Sequence, residues 1–347
     1  MICSHLDRRR FLYASAGAAA GLLIGRRQDA RAYERREELA AGDGALIAIT
    51  LDLEMSAQYP RRDMTEWNYA KGNLDEATKQ YAVDAARTAK QAGGLIHFFC
   101  VGRVLEQPNV DWLKQIAADG HPVGNHTYDH VYLLAKTPVE CQFRFQRAPW
   151  LVEGKTVEQV LRENIRLTTI ALKERAGIDV RGFRTPGGFA DGLSGRPDLH
   201  QMLLDQGFAW VSSKYPRHAT GEPKSEPTAA VYDDIVAQQQ AAQPFVYPSG
   251  LIEVPMSPIS DVNAFRSNFW KRAWFLEAIR RSVEWAIDTG GVFDFLAHPS
   301  CLVVEDPQFE AIQLICELVK KAGKRAAVVD LDTIARRAAL QAPSEAR

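Results

Sequence analysis

The 347-residue chain is short of several things, and each shortage excludes something. Its charge is nearly balanced, 42 Lys and Arg against 43 Asp and Glu, so composition supplies neither a basic surface for nucleic acid nor a polybasic face for an anionic membrane. Only five cysteines occur, at Cys3, Cys100, Cys141, Cys301 and Cys316, and no two stand in C-x-x-C spacing, which argues against a thiolate metal site. Cys100 and Cys316 fall in apolar runs and are expected as small core residues. The mildly apolar run over 11–25 is short of the roughly 20 residues a spanning helix needs. No second composition regime marks a second domain. What is present, 46% hydrophobic and 24% charged residues, describes a globular chain able to bury a large core.

The amino terminus differs in kind from the rest. Asp7-Arg8-Arg9-Arg10-Phe11-Leu12 leads into the weakly apolar run, and Arg26-Arg27 and the small-x-small triplet Ala30-Arg31-Ala32 follow it. The stretch resembles a twin-arginine export signal, with Asp7 where Ser or Thr is usual. Residues 1–32 are therefore expected to be a cleaved signal peptide and 33–44 a charged linker. The product is expected in the periplasm or outside the cell, with no stable membrane span after processing.

From Ala45 onward the chain alternates between two periods. Ala45 to Glu54 is a continuous apolar run, as in strands buried on both faces, and it ends in two carboxylates. Asn73 with Glu76 reads as a capping box opening a helix that stops at Gly93-Gly94. A strand over 95–101 and a helix around 112–118 follow, and then Pro122-Val123-Gly124. Thr156 with Gln159 caps a further helix closed by Gly177. Residues 180–184 form a short strand entering the turn Thr185-Pro186-Gly187-Gly188. Strands around 209–213, 251–255, 292–298 and 326–331 alternate with helices over 197–205, 268–288, 307–321 and from Asp332. Periodicity fails near 132–155 and 214–248, which read as insertions or long loops. The pattern predicts an α/β chain of about eight strands, one barrel-like domain over 45–340.

In parallel α/β architectures active sites gather at the carboxyl ends of the strands. Four polar groups fall there. Asp52 and Glu54, two apart on an extended strand, point to one side and call for a cation, a metal or water. His126 and His130 are four apart; on a helical turn they would share a face and could close on one metal ion. Arg184 with its Pro-Gly turn is the third group and His298 the fourth. Trp67, Trp150 and Trp210 lie near these motifs and are candidates for stacking on sugar rings, with core packing as the other role.

Taken together, these motifs resemble the polysaccharide deacetylase family of metal-dependent carbohydrate esterases. That family has an acidic strand-end motif, then H-[ST]-x-x-H, R-x-P-x-G and L-x-H. Here they read Thr50-Leu51-Asp52-Leu53-Glu54, His126-Thr127-Tyr128-Asp129-His130, Arg184-Thr185-Pro186-Gly187-Gly188 and Leu296-Ala297-His298. The resemblance implies a distorted (β/α) barrel of about seven to eight parallel strands and a divalent metal, with Zn2+ the first choice, held by Glu54, His126 and His130. It implies Asp52 as general base, Arg184 as its partner, Gly187 as a backbone donor to the oxyanion and His298 as general acid. The family's acidic residues are adjacent aspartates, whereas Leu53 intervenes here, so exchanged roles for Asp52 and Glu54 are the alternative. An aspartate that orients the acid histidine has no clear match near Trp210-Val211-Ser212-Ser213; Asp261 is a candidate.

The implied reaction removes acetyl groups from an N-acetylated or O-acetylated carbohydrate. Two other readings are a hydrolase of a non-sugar amide on the same fold and an exported glycan-binding protein without catalysis. Binding alone would not call for Asp52, Arg184 and His298 together.

Overall fold

The computed structural model describes residues 38–61 and 71–342. The proposed signal peptide, Cys3 and Trp67 lie outside the described residues. One sheet of nine strands organises the domain. In chain order the strands are β1 (Ala45–Leu53), β2 (His97–Cys100), β3 (Val123–Asn125), β4 (Phe183–Phe189), β5 (Trp210–Lys214), β6 (Phe245–Val246), β7 (Ile252–Glu253), β8 (Val292–Ala297) and β9 (Ala326–Val328). They lie in the order β6-β7-β5-β4-β3-β2-β1-β8, with β9 also paired to β1. All pairings are parallel except the short β6–β7 ladder. The sheet curls into a distorted barrel, as expected for this class of α/β chain.

The gap between β5 and β8 is bridged by irregular chain. After β7, Val254 N donates to Val211 O and Met256 N to Lys214 O, and then Ser257 N donates to Asp294 O at 3.1 Å. Ser260 finally makes a parallel bridge to Leu296. The segment over 254–260 thus passes from one side of the opening to the other and satisfies backbone groups that an open edge would leave unpaired.

The strand β1 shows why the sequence folds this way. All nine of its residues are buried, so it has no polar face. Ile47, Ile49, Leu51 and Leu53 pack outward on the helices, in one cluster with Ala82, Ala85, Ala89, Phe275 and Ile279. Leu46 and Ala48 point into the barrel, against Phe99, Trp210 and Val254. Above this apolar floor the inward positions turn polar: Thr50, then Asp52. Their buried polar atoms are costly without partners, and the partners come from neighbouring strands.

Several local expectations shift. The helix expected from Asn73 is capped instead by Asp75, whose side chain accepts from Thr78 N, and runs Glu76–Gln91. The capping box of Thr156 and Gln159 forms, and Gly177 closes the helix Val157–Ala176 at φ 69°. Residues 132–155 are built of short helical pieces, Pro138–Cys141, Phe143–Arg147 and Pro149–Leu151. They are tied down by buried Leu133, Cys141, Phe145 and Val152. The expected loop at 214–248 contains a helix, Ala229–Gln238, capped by Thr228 and buried through Val231, Tyr232 and Ile235. The long helix expected over 268–288 is Arg272–Thr289, preceded by a π-helical turn, Val262–Ser267. Cys100, Cys141, Cys301 and Cys316 are buried and unpaired.

Candidate active site

At the carboxyl end of β1 the chain bends at Glu54. The Glu54 amide donates to Asp52 O at 3.0 Å, and Met55 N donates to Lys71 O at 3.0 Å. The bend lets Asp52 and Glu54 both enter the mouth of the barrel, where each is almost fully buried.

His126 and His130 follow β3, and they are not on a helix, contrary to the helical-turn expectation. The chain between them is irregular, with Thr127 and His130 both at φ 58°. Such backbone is unfavourable for residues other than glycine and persists only where surroundings fix it. Here Asn125 Oδ1 accepts from Thr127 N at 2.8 Å, Thr127 Oγ1 accepts from Val131 N at 2.9 Å, and Asn164 Oδ1 accepts from Asp129 N at 2.8 Å. The two rings end 5.1 Å apart at 72°.

The donor atoms converge. His126 Nδ1 lies 3.0 Å from Arg184 O, so that nitrogen carries the proton and Nε2 keeps its lone pair. His126 Nε2 is 3.6 Å from Glu54 Oε2, and His130 Nε2 is 2.7 Å from the same oxygen. Burial depresses the pKa of both histidines, that of His130 to about 4, so both are neutral at pH 7. Glu54 Oε2 is buried without a hydrogen-bond partner, the His130 contact being misaligned for one. Its other oxygen is paired with the Lys71 ammonium. Burial works to raise the Glu54 pKa, but His130 and the Lys71 ammonium beside it outweigh burial and hold it well below the usual carboxylate range. Among the described residues, Glu54, His126 and His130 form a cluster able to hold a metal, their donor atoms all within 4.8 Å of one another. Two neutral imidazoles and an orphaned carboxylate oxygen are donors that suit a divalent ion such as zinc.

Arg184 lies beneath this cluster and is 0% exposed. Its Nη1 donates to Asp52 Oδ1 at 3.1 Å and to Thr50 Oγ1 at 2.8 Å, its Nη2 to Asp294 Oδ2 at 2.6 Å, and its Nε to Ser212 Oγ at 3.2 Å. The guanidinium also rests on the Phe99 ring, 4.3 Å from the centroid. Gly187, at φ 78° and exposed, turns the chain above Arg184, and Thr185 Oγ1 donates to its carbonyl at 2.7 Å. A glycine is needed there for the positive φ, because a Cβ would meet nothing within 4 Å.

His298 sits at the end of β8. Its Nδ1 is 3.0 Å from Asp261 Oδ1, and its backbone N–H donates to Asp261 Oδ2 at 2.9 Å. Its Nε2 faces the cluster, 3.6 Å from Glu54 Oε1. Burial disfavours the imidazolium, but Asp261 outweighs it and the pKa stands above the usual value.

Residues 72–195 match the polysaccharide deacetylase family model. The match spans the stretch that carries both histidines, Arg184 and Gly187. A crystal structure of a Mycobacterium smegmatis protein, named provisionally as a polysaccharide deacetylase, superposes with a TM-score of 0.58 at 18% identity, covering 87% of this chain and 92% of that one. A CE4 esterase of Streptococcus mutans gives 0.41 at 18% identity, covering 86% and 90%. The first of these likenesses establishes the fold. No curated protein matches the chain. The polysaccharide deacetylase match supports a hydrolase of the deacetylase type.

The structure gathers Asp52, Glu54, His126, His130, Arg184, Gly187 and His298 at one end of this deacetylase-type barrel. It does not bring Trp150 and Trp210 together there. Trp210 is 4% exposed in the apolar floor, edge-on to His97 and Phe99, with Nε1 donating to Asp332 Oδ1 at 2.8 Å. It is therefore core, closed to a sugar. Trp150 is 68% exposed on the insertion and makes no ring contact among the described residues. The aromatic pair next to the motifs is Tyr132 and Phe189, rings 5.7 Å apart at 69°, with Tyr132 46% exposed. Both follow a motif by two residues or fewer, a signal available in the sequence. Lys71 and Asp294 were missed as well.

Proposed function

We propose that this chain is a metal-dependent deacetylase of acetylated carbohydrate. The observation that carries the reading is Glu54 Oε2, buried, unbonded and turned toward the Nε2 atoms of two neutral histidines. Glu54, His126 and His130 would hold the ion. A divalent ion bound there supplies Lewis acidity toward an acetyl carbonyl and lowers the pKa of water.

The protein's own groups do the rest. Asp52 Oδ2, 3.7 Å from His126 Nε2, stands beside the cluster and accepts the proton of the attacking water, while Arg184 Nη1 fixes its other oxygen. The Gly187 N–H donates to the oxyanion of the tetrahedral species. His298, held by Asp261 with Nε2 toward the cluster, gives its proton to the leaving amine or alkoxide. Tyr132, braced edge-on by Phe189, offers the face of an exposed ring to a sugar.

Export fits this reading, since the amino-terminal sequence resembles a twin-arginine signal and an acetylated polysaccharide is met outside the cell. Among the described residues no helix is long and apolar enough to cross a membrane.

The test is acetate release from N-acetylated chito-oligosaccharides and O-acetylated xylan, with and without a chelator. Release that a chelator abolishes and zinc restores is the expected result. Release indifferent to chelator would remove the metal from the reaction. Acetate release absent from both saccharides but present with a small amide would move the enzyme to non-sugar substrates.

A further inference from the structure

Arg266 stands on the π-helical turn Val262–Ser267, immediately after the aspartate that holds His298. The mount is rigid. Ala264 and Phe265 are fully buried, Ala264 N donates to Ser260 O at 3.0 Å, and Asn268 Nδ2 closes the turn on Asn263 O at 2.8 Å. Turns of this kind are over-represented at functional sites.

The Arg266 guanidinium is fixed between the two strand ends that carry the chemistry. Its Nη1 donates to Ser56 Oγ at 3.0 Å. Ser56 lies two residues beyond Glu54, and its N–H donates at 2.9 Å to Ser300 Oγ, two residues beyond His298. Ser300 Oγ in turn donates to Glu54 O at 3.0 Å. From this place the charge of Arg266 is felt by the Lys71 ammonium and by the Tyr215 hydroxyl, which is bonded to Ser260 Oγ at 2.7 Å just before the turn.

Arg266 has no counter-ion among the described residues. Several half-buried arginines pair with carboxylates, Arg144 with Asp129 at 2.6 Å, Arg162 with Glu158 at 2.8 Å, Arg272 with Glu310 at 3.0 Å and Arg280 with Glu277 at 2.7 Å, and the buried Arg337 is held by the Gly44 and Leu39 carbonyls at 2.6 Å. Arg266 has one neutral hydroxyl, and no carboxylate pairs with it among the described residues. A partly desolvated guanidinium without an anion is costly, and its remaining N–H groups form a planar fork that matches a carboxylate or phosphate. The acetyl group itself is neutral, so the anion must come from elsewhere on the substrate.

We propose that Arg266 binds an oxyanion carried by the saccharide apart from its acetyl group, so that the site takes acidic acetylated saccharides in preference to neutral ones. The inference rests on the deacetylase reading of the same site and names its substrate class.

The experiment uses the full metal-loaded chain and three probes: neutral tetra-N-acetylchitotetraose, the same saccharide bearing a 6-phosphate, and a tetrasaccharide alternating N-acetylglucosamine with glucuronate. Acetate release and calorimetric binding are measured for the wild type, Arg266→Gln and Arg266→Lys. One charge-assisted fork is expected to favour an acidic probe about ten-fold, mainly through KM, with the advantage shrinking at high salt. The probe with the larger advantage identifies the oxyanion. Arg266→Gln is expected to bring the acidic-to-neutral ratio to about one, and Arg266→Lys to keep part of it. Equal use of neutral and acidic probes by the wild type would overturn the inference and leave the deacetylase reading standing. Arg266-dependent binding of an acidic probe without acetate release would do the reverse. Neither binding nor release would overturn both.

Discussion

Arg184 Nη2 approaches Asp294 Oδ2 to 2.6 Å, closer than the 3.1 Å that separates its Nη1 from Asp52 Oδ1. The buried cation is shared between a carboxylate at the mouth of the barrel and one beneath it. Asp294 also accepts from Thr50 Oγ1 at 2.8 Å, so Thr50, Arg184 and Asp294 form a closed set around the base. The fold bears a cost for this arrangement, because burial, against Arg184 and Thr50, pushes the Asp294 pKa up to about 6 from 3.8.

The sign of that cost gives the first prediction. A carboxyl whose folded pKa is raised destabilises the protein above that pKa, and the penalty is relieved as pH falls from about 6 toward the unfolded value of 3.8. A shift of this size corresponds to a few kcal/mol, on the order of 2–3. Asp294→Asn removes the titration and keeps the shape. In urea unfolding, the wild type is expected to gain on Asp294→Asn as pH is lowered from 7 to 4. A stability difference independent of pH would mean that Asp294 does not titrate in this range.

The second prediction separates the two strand-end carboxylates. Glu54 Oε2 is the atom the histidines face, whereas Asp52 is committed through Oδ1 to Arg184. Asp52→Asn is expected to retain the metal and lower kcat about 10²- to 10⁴-fold, the range of a lost general base. Glu54→Gln and His126→Ala are expected to lose metal and activity together. Elemental analysis of the purified variants decides this. Metal lost from Asp52→Asn but kept in Glu54→Gln would exchange the two roles.

The four strand-end motifs were legible because each follows an expected strand, and chain order alone places such ends at one mouth of a parallel barrel. Less could be read wherever function depends on a side chain brought in from elsewhere. Asp261 lies 37 residues before His298, on a segment that bridges the barrel opening irregularly, so only its residue type pointed to it. Lys71 lies 17 residues after Glu54, outside any strand, and reads as an ordinary surface charge. Asp294 is hidden inside an apolar strand, where its partner is set by the turn of the barrel. Trp210 misled in the opposite way. It shares the inward face of β5 with Ser212, but Ser212 reaches the Arg184 layer and Trp210, two residues lower, the floor. The helix Ala229–Gln238 was obscured by its Gln- and Asp-rich surroundings, although its buried positions follow a helical spacing.

The third prediction concerns the acid. The raised pKa of His298 reflects the Asp261 carboxylate overcoming burial, so the imidazolium persists above the ordinary pH and is lost as pH climbs through the raised value. Asp261→Asn removes the strongest of the groups that oppose burial and lowers the pKa. The alkaline limb of kcat/KM is expected to move to lower pH by more than about one unit, while metal content stays unchanged. An unmoved limb would show that a group other than His298 donates the proton.

The fourth prediction sets two aromatic sites against each other. Tyr132, 46% exposed and edge-on to Phe189, lies two residues beyond His130, and Phe189 ends the Arg184 turn. Truncating an exposed ring removes little packing but takes away the flat surface a sugar would lie on. Tyr132→Ala is expected to raise KM for oligosaccharides about ten-fold and leave stability within about 0.5 kcal/mol. Trp210 is its opposite, a fully packed ring whose indole N–H is bonded to Asp332. Trp210→Ala leaves a cavity in the barrel floor and is expected to cost about 3–5 kcal/mol. Its KM should not move in whatever fraction remains folded. Thermal melts and steady-state kinetics on the two variants check both halves. A Trp210→Ala protein that melts normally and binds saccharide poorly would return that tryptophan to the substrate surface.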